Sequence, residues 1–350
     1  MAKFKFGIIG FGFMGHEHAN MLANFQDEIE LAAVADTNPE QLADAPEGVR
    51  TYATADELIA NETLDTIIIS TPNPSHLEMV KKTAAAKINT ICEKPAAMSV
   101  AEFDEMVRVT KEAGIIFTIH HQRRWDYDYR IMKEVYDKHM VGDVYLIKSQ
   151  LYGVNGNMHD WHIYPEMGGG MLYDWGVHLI DQILNMVDSE VDSVFADIQN
   201  VINENVDDYF KLIFKFKNGV TTEIELGTYY LTPKRAWFMG GNGGSAIIDG
   251  FGGEGTIVHT TRLLENVPGK ITMTAAGPTR SFGPPAPGVL YEEPLPEVNV
   301  SHKNYWEHYL KALKGEEEIV IKPQQVRRVL CMMDAVRESA RTNEAVRFEH

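Results

Sequence analysis

Short apolar runs alternate with amphipathic stretches through the first third of the chain. Phe4 to Ile9, Leu31 to Ala35, Thr66 to Ser70, Thr90 to Cys92 and Ile115 to Ile119 are apolar segments of strand length. Such runs belong to strands buried on both faces. Between them, Met14 to Asn24, Ala55 to Asn61, Ser75 to Ala86 and Ser99 to Ala113 carry helical periodicity. The last opens on Ser99 and Glu102, spaced as a capping box, and closes on Gly114, a suitable left-handed stop. Strand, helix, strand repeated predicts a doubly wound parallel sheet, an α/β domain over residues 1–121.

After residue 121 the period changes. A helix over Tyr127 to His139 leads to a strand at Val144 to Tyr152, then a Gly- and aromatic-rich stretch, then a helix over Met171 to Met186. Beyond it Phe210, Leu212, Phe214 and Phe216 share one face by period two, with Lys211 and Lys215 opposite. Asn218-Gly219 supplies a hairpin turn and Thr221 to Tyr230 runs back. Residues 122–350 therefore read as an α+β domain with a large, mainly antiparallel open sheet, one face on helices. The other face is left to solvent or to a second subunit, so a homodimer or homotetramer through this sheet is expected. Residues 265–297 hold seven prolines and little periodicity, and no secondary structure is assigned to them. Helices over Val300 to Lys314 and Pro323 to Thr342 close the chain, the second long enough to pack back on the first domain.

Composition narrows the function. A length of 350 residues suits two cores, and a formal net charge of -18 argues against a nucleic-acid partner. No apolar run is long enough to span a bilayer. Met1-Ala2-Lys3 leads directly into a strand pattern rather than a signal peptide, so no membrane partner and a cytoplasmic location are expected. Cys92 and Cys331 are far apart and read as buried thiols. His16 and His18 fall on different faces of a helix, and His120-His121 are adjacent at a strand end. Neither pair has metal-ligand spacing, so no metal is expected and the histidines read as structural or solvated, with His76 and His120 near the site.

The chemistry begins at Gly10-Phe11-Gly12-Phe13-Met14-Gly15, which follows the first strand and opens a helix. Gly10 permits the tight turn, Gly12 lets backbone approach a pyrophosphate, and Gly15 lets helix and strand pack closely. The helix N-terminus offers free N–H groups and a positive dipole end to phosphates. Asp36 ends the second strand, placed to accept hydrogen bonds from ribose hydroxyls and to repel a 2′-phosphate, which favours NAD(H) over NADP(H). Flavin is the second dinucleotide the turn would hold. Asn73 and Lys94 lie where the chain leaves parallel strands at the carboxyl rim, the ligand side of such folds. Asp174 and His178 are spaced i, i+4, on one face of a helix, with Asp181 continuing the stripe.

Thr71-Pro72-Asn73-Pro74-Ser75-His76, Glu93-Lys94-Pro95 and the run from Gly168-Gly169-Gly170 through Asp174 and His178 to Asp181, together with the glycine-rich turn, resemble the glucose–fructose oxidoreductase / inositol dehydrogenase / rhizopine catabolism family, Gfo/Idh/MocA. The resemblance covers essentially the whole chain. It implies an NAD-dependent oxidoreductase in which Lys94, Asp174 and His178 surround a reacting carbinol of a sugar, glycoside or cyclitol. His178 would take the hydroxyl proton, Lys94 would stabilise the alkoxide, and Asp174 would orient substrate and histidine; spacing does not decide whether His178 or Lys94 accepts the proton first. The resemblance also implies cofactor contacts from Gly10, Gly12, Phe13, Met14, Gly15, Asp36, Thr71, Pro72, Asn73, His76, Glu93, Lys94, Gln122, Arg123 and Trp161. Asp160-Trp161-His162 departs from relatives, which carry arginine where this chain has His162. Trp161 is then as well explained by packing as by stacking on nicotinamide or sugar. Two other functions share this framework: a redox-assisted glycosidase or glycoside 3-dehydrogenase with tightly held NAD, and a non-catalytic NAD-sensing regulator. The second has no need of Lys94 and His178 together.

Overall fold

The computed structural model describes residues 3–153, 160–261, 271–280 and 287–348. Among these, β1 (Phe4–Ile9), β2 (Ile29–Ala35), β3 (Arg50–Tyr52), β4 (Thr66–Ile69), β5 (Asn89–Cys92) and β6 (Phe117–Ile119) form a parallel sheet in the order β3-β2-β1-β4-β5-β6. The helices between them are α1 (Phe13–Leu22), α2 (Pro39–Leu42), α3 (Ala55–Asn61), α4 (His76–Ala85) and α5 (Val100–Ala113). The strand order reverses between β1 and β4, which opens a crevice at their carboxyl ends. α2 and β3 carry no periodic signal: β3 is three residues, Arg-Thr-Tyr, with no buried member. At α5 the Ser99 hydroxyl accepts the Glu102 N–H at 3.2 Å and Gly114 takes φ +69°, so both sequence caps form.

The second sheet is mixed. Along the chain come α6 (Tyr127–Asp137), β7 (Val144–Tyr152), α7 (Val177–Met186), β8 (Val191–Gln199), β9 (Tyr209–Phe216) and β10 (Thr221–Gly227). They are followed by β11 (Trp237–Gly241), β12 (Gly244–Ile248), β13 (Gly255–Thr260), β14 (Ile271–Thr274), β15 (Gly277–Arg280), β16 (Leu290–Glu293), α8 (Lys303–Leu313), α9 (Pro323–Thr342) and β17 (Val346–Arg347). The order is β16-β13-β12-β11-β7-β10-β9-β8-β17, antiparallel except for the parallel pair β7–β10. Phe210, Leu212 and Phe214 of β9 are fully buried under the helices, while Lys215 on the opposite face is exposed. The proline-rich stretch is more ordered than its composition predicts. β14 and β15 pair as a hairpin and β16 joins the large sheet, whereas 265–270 and 281–286 lie outside the described residues.

The two sheets are fastened by the end of the chain. Trp306 and Tyr309 of α8 pack on Phe6 of β1 with ring centroids 6.5 and 6.1 Å away, and the Tyr309 hydroxyl lies 3.0 Å from Thr66 Oγ1. Helix α8 therefore covers the first sheet, although it follows the second in sequence. α9 packs on β8 and α7 and also on α5 and β6. No helix among the described residues is long and apolar enough to cross a membrane.

One ion pair locks the junction. Arg124, in the 3-10 turn Gln122–Trp125 after β6, donates to Asp181 of α7 through Nε at 2.7 Å and Nη2 at 2.6 Å, and through Nη1 to Gln325 of α9 at 2.9 Å. Both charged partners are buried. Removing one partner leaves an uncompensated buried charge, so Asp181→Ala is expected to cost about 3–5 kcal/mol, read from denaturant unfolding. Replacing the pair together by Arg124→Met and Asp181→Leu should recover most of that loss. Additive losses would contradict the bridge.

Candidate active site

The cradle at the crevice is built from three glycines with different tasks. Gly10 sits at φ +89°, and a Cβ there would meet the Ser70 backbone at 2.7 Å. A Cβ on Gly15 would stand 2.4 Å from the Gly10 carbonyl oxygen, so this residue sets how closely α1 approaches the turn. Gly12 differs, since nothing lies within 4 Å of its missing Cβ. It is also the N-cap of α1, with no side-chain cap and no acid in the first turn, so no side chain takes up the N–H groups of this helix end. The Phe13 side chain is 79% exposed beside them. Asp36 follows β2, its carboxylate accepting the Phe11 N–H at 2.7 Å and the Asn38 N–H at 2.8 Å. An uncapped helix end with room for phosphate and a carboxylate held at the next strand fits a dinucleotide.

Lys94 is anchored from below by Glu93. The buried Glu93 Oε1 lies 2.8 Å from His18 Nε2 of α1 and 2.8 Å from His120 Nδ1 beyond β6, and its Oε2 accepts the Lys94 N–H at 3.0 Å. An ionised carboxylate only accepts, so both ring nitrogens carry the proton. Burial pushes the Glu93 carboxyl upward, but the charges and hydrogen bonds of His120 and His18 outweigh it and hold the group well below the usual range. Burial lowers His120 to about 4 despite Glu93. His18, Glu93 and His120 are close enough to share a metal ion. Their 2.8 Å contacts are nevertheless those of ordinary N–H···O bonds, and protons account for the unit. Sequence spacing separated His18 from His120; the fold brings both onto one oxygen.

Above the rim, the Lys94 Nζ donates to Asp174 Oδ1 at 2.7 Å and to the Asp174 carbonyl at 3.0 Å. Asp174 lies in a π-helical turn, Leu172–Gly176, that runs into α7. This corrects the continuous α-helix read from the periodicity. The wider turn shifts Asp174 relative to His178, and its carboxylate serves Lys94 instead of the imidazole. The start of the turn is held by Asp207, which sequence reasoning missed. Its Oδ2 accepts the Leu172 N–H at 2.7 Å and its carbonyl the Met171 N–H at 2.9 Å. A Cβ on Gly170 would collide with its Oδ1. Burial pushes this carboxyl up to about 6.

His178 is buried beside this pair. Desolvation first, then the charges of Lys94 and Arg123, hold its imidazole well below the usual histidine range, so it is neutral at neutral pH. Its Nδ1 is buried without a hydrogen-bond partner, as are both ring nitrogens of His121, 5.9 Å away between centroids, and Gln122 Oε1. Buried polar atoms are normally paired. A cluster of unpaired ones at the crevice fits the polar groups of a nicotinamide and a hydroxylated substrate. His121 carried no sequence signal beyond its neighbour.

The remaining predicted contacts divide. Asn73, in the 3-10 turn after Thr71 and Pro72, donates through Nδ2 to the Met167 carbonyl at 3.1 Å and so ties the first domain's rim to the glycine run. His76 is fully buried, with its ring nitrogens 2.9 Å from the Thr71 carbonyl and 3.3 Å from that of Ala96. It holds the loop in shape and presents no free ring nitrogen to a cofactor. Arg123 stacks over the Trp175 ring at 4.0 Å and donates to Asp126 at 3.1 Å. Trp161 stacks on His162 at 3.8 Å between centroids, in the 3-10 turn Asp160–Ile163. The adjoining residues 154–159 of the aromatic-rich stretch lie outside the described residues.

Comparison with known proteins agrees with this geometry. Residues 4–121 match the Gfo/Idh/MocA model described as oxidoreductase family, NAD-binding Rossmann fold, and residues 129–246 match the GFO/IDH/MocA C-terminal domain. The crystal structure of an NAD-binding protein from Listeria innocua superposes with a TM-score of 0.87 at 31% identity, over 99% of this chain and 97% of that one. A myo-inositol 2-dehydrogenase of Thermotoga maritima is 28% identical over 63% of this chain and 67% of its own. A scyllo-inositol 2-dehydrogenase (NADP(+)) of Bacillus subtilis is 23% identical over 99% and 96%.

The glycines separate folding from binding. Gly12→Ala should unfold like the parent chain but lose at least about tenfold in NADH affinity, roughly 1.4 kcal/mol, followed by cofactor fluorescence. Gly15→Ala should lower the melting temperature, because its Cβ would stand 2.4 Å from a backbone oxygen. Equal NADH affinity in Gly12→Ala and the parent would refute the assigned cradle.

Proposed function

The chain belongs to the Gfo/Idh/MocA oxidoreductase family, and we propose that it is an NAD-dependent dehydrogenase oxidising a secondary carbinol of a sugar, glycoside or cyclitol. The observation that carries this reading is the Lys94 ammonium, fixed 2.7 Å from the Asp174 carboxylate beside the neutral, buried His178, at the carboxyl rim next to the dinucleotide cradle. NAD+, when bound, supplies a hydride acceptor. The chain supplies everything that handles the proton and the charge. Neutral His178 takes the hydroxyl proton as the carbinol carbon gives up hydride. Lys94 donates to the same oxygen as negative charge develops there, an effect strengthened where water is excluded. Asp174 keeps that ammonium aimed. Gln122 and Arg123 line the cofactor side, and Asp36 disfavours a 2′-phosphate, so NAD(H) is preferred. The names of the inositol dehydrogenase relatives support a polyol substrate. We also propose assembly as a homodimer or homotetramer through the outer face of the large sheet, which presents the half-exposed Tyr145; light scattering checks it.

Screening NAD+ reduction over inositols, aldoses and glucosides tests the assignment. With an active substrate, Lys94→Ala and His178→Ala should each lower kcat/KM by at least about a hundredfold, the scale of a lost acid–base group. Unaltered turnover in either variant sinks these roles. Release of an aglycone without net NADH would favour the redox-assisted glycosidase. The pH profile has a defined sign. His178 acts as a base only when neutral, and burial holds its folded pKa below the ordinary 6.5. Activity in the oxidative direction should therefore persist through pH 6.5 and fall only at lower pH.

A further inference from the structure

Asp181 has a second neighbour besides Arg124. Its Oδ2 stands 3.9 Å from Nδ1 of His121, which follows His120 past the end of β6. The His121 ring in turn meets that of His178 edge to face, with centroids 5.9 Å apart and planes at 88°. All three side chains are buried. His178 Nδ1 and both nitrogens of His121 have no hydrogen-bond partner among the described residues, so no fixed bond holds a proton on either ring. Asp181 lies two helical turns beyond Asp174, about 10 Å along the chain at 1.5 Å per residue. The row His178, His121, Asp181 therefore leads away from Lys94 and the reacting carbon.

The far end of the row meets a second opening. Asp181 and Arg124 form part of the wall of a cleft of about 1130 Å³ between α6, α7 and α9, which also carries the exposed side chains of Glu190 and Lys217. The charges along the row fall in a favourable order. At His178, desolvation and then the Lys94 and Arg123 cations disfavour an added proton. At His121, desolvation also lowers the imidazole, but the Asp181 carboxylate is the largest charge acting on it and favours the proton. Arg124 opposes it, while Glu93 adds to the attraction and Lys94 to the repulsion. A proton on His178 thus meets repulsion where it is and attraction one ring further on. Once charged, His121 is drawn toward Asp181 from an ion-pair separation. Burial raises the Asp181 carboxyl, but Arg124 outweighs it and holds the group low, so Asp181 guides a proton without keeping it.

We propose that His121 is a relay residue, through which the proton taken from the substrate leaves by the Asp181 cleft while ketone and NADH still occupy the crevice. The relay rests on the carbinol reading, and its balance is that of the oxidation. The carbinol carbon loses hydride to NAD+, and its oxygen loses a proton to one ring nitrogen of His178. The other ring nitrogen of His178 releases a proton to His121. His121 gives one up to water at Asp181 by the same exchange of nitrogens, and both imidazoles end the turnover neutral.

The test is one of timing. Stopped-flow mixing of the NAD+-saturated protein with an oxidised polyol, in weak buffer, follows NADH absorbance and a pH indicator together. In the parent chain the proton should appear in step with NADH during the first turnover. In His121→Leu and His121→Gln the first NADH should form within about twofold of the parent rate, whereas the proton should follow at least about tenfold more slowly, together with product release. Leu suits the apolar surroundings and Gln keeps a polar side chain, so a failure to fold in one, read from melting temperature and NADH affinity, leaves the other to decide. A merely structural His121 would slow hydride transfer itself and leave the proton in step with it. The double variant Arg124→Met with Asp181→Leu removes the outer end of the row and should show the same lag. A proton in step with NADH in the His121 variants or in the double variant overturns the relay, as does a parent that releases its proton only with its products. No NADH from any polyol, sugar or glycoside would instead sink the dehydrogenase reading, and the relay with it.

Discussion

A single buried carboxylate ties the parts of this site together. Glu93 receives one hydrogen bond from α1, the helix of the dinucleotide cradle, one from the end of β6, and one from the backbone of Lys94. A buried charge is tolerated only when its hydrogen bonds are satisfied, and here three donors satisfy it. The result is geometric: α1, the end of β6 and the Lys94 backbone are joined through one side chain. Withdrawing either imidazole would leave the carboxylate buried and under-paired, which makes His18 and His120 structural supports of the turn that carries Lys94.

The second half of the site is set by a different device. The π-helical turn at Leu172–Gly176 breaks the regular ladder just where Asp174 must face Lys94, and Asp207 fixes where that turn begins. Gly170 at φ +96° leaves the space that the Asp207 carboxylate occupies. Lys94 comes from one sheet and Asp174 from the other side of the crevice, so their 2.7 Å contact depends on the docking of the two sheets. The buried Arg124–Asp181 bridge and the packing of α9 on both sheets hold that docking.

Most of the fold was legible in the sequence because hydrophobic period reports burial directly. The parallel strands, the Ser99 and Gly114 caps of α5 and the Phe210–Phe216 alternation all have that origin. Elements without a period were not legible: β3 is exposed and short, and the β14–β15 hairpin lies in proline-rich chain. Lys94, Asp174 and His178 stood out through motif and rim position. What spacing could not convey was partnership. An i, i+4 separation put Asp174 over His178, yet a π turn gives the carboxylate to Lys94. Two histidine pairs without ligand spacing each contribute one member to Glu93. Asp207 acts through a contact 35 residues away, and nothing local marks it.

The central claim is that hydride passes directly from a carbinol carbon held by Lys94 and His178 to the nicotinamide. The most direct measurement follows an isotope. An oxidised polyol is supplied with deuterium on its reacting carbon, and the NADH formed is examined by NMR. The account predicts one deuterium at nicotinamide C4 per turnover and none there when an unlabelled polyol is oxidised in deuterium oxide. Reduced cofactor lacking substrate deuterium, or carrying solvent deuterium at C4, would contradict it.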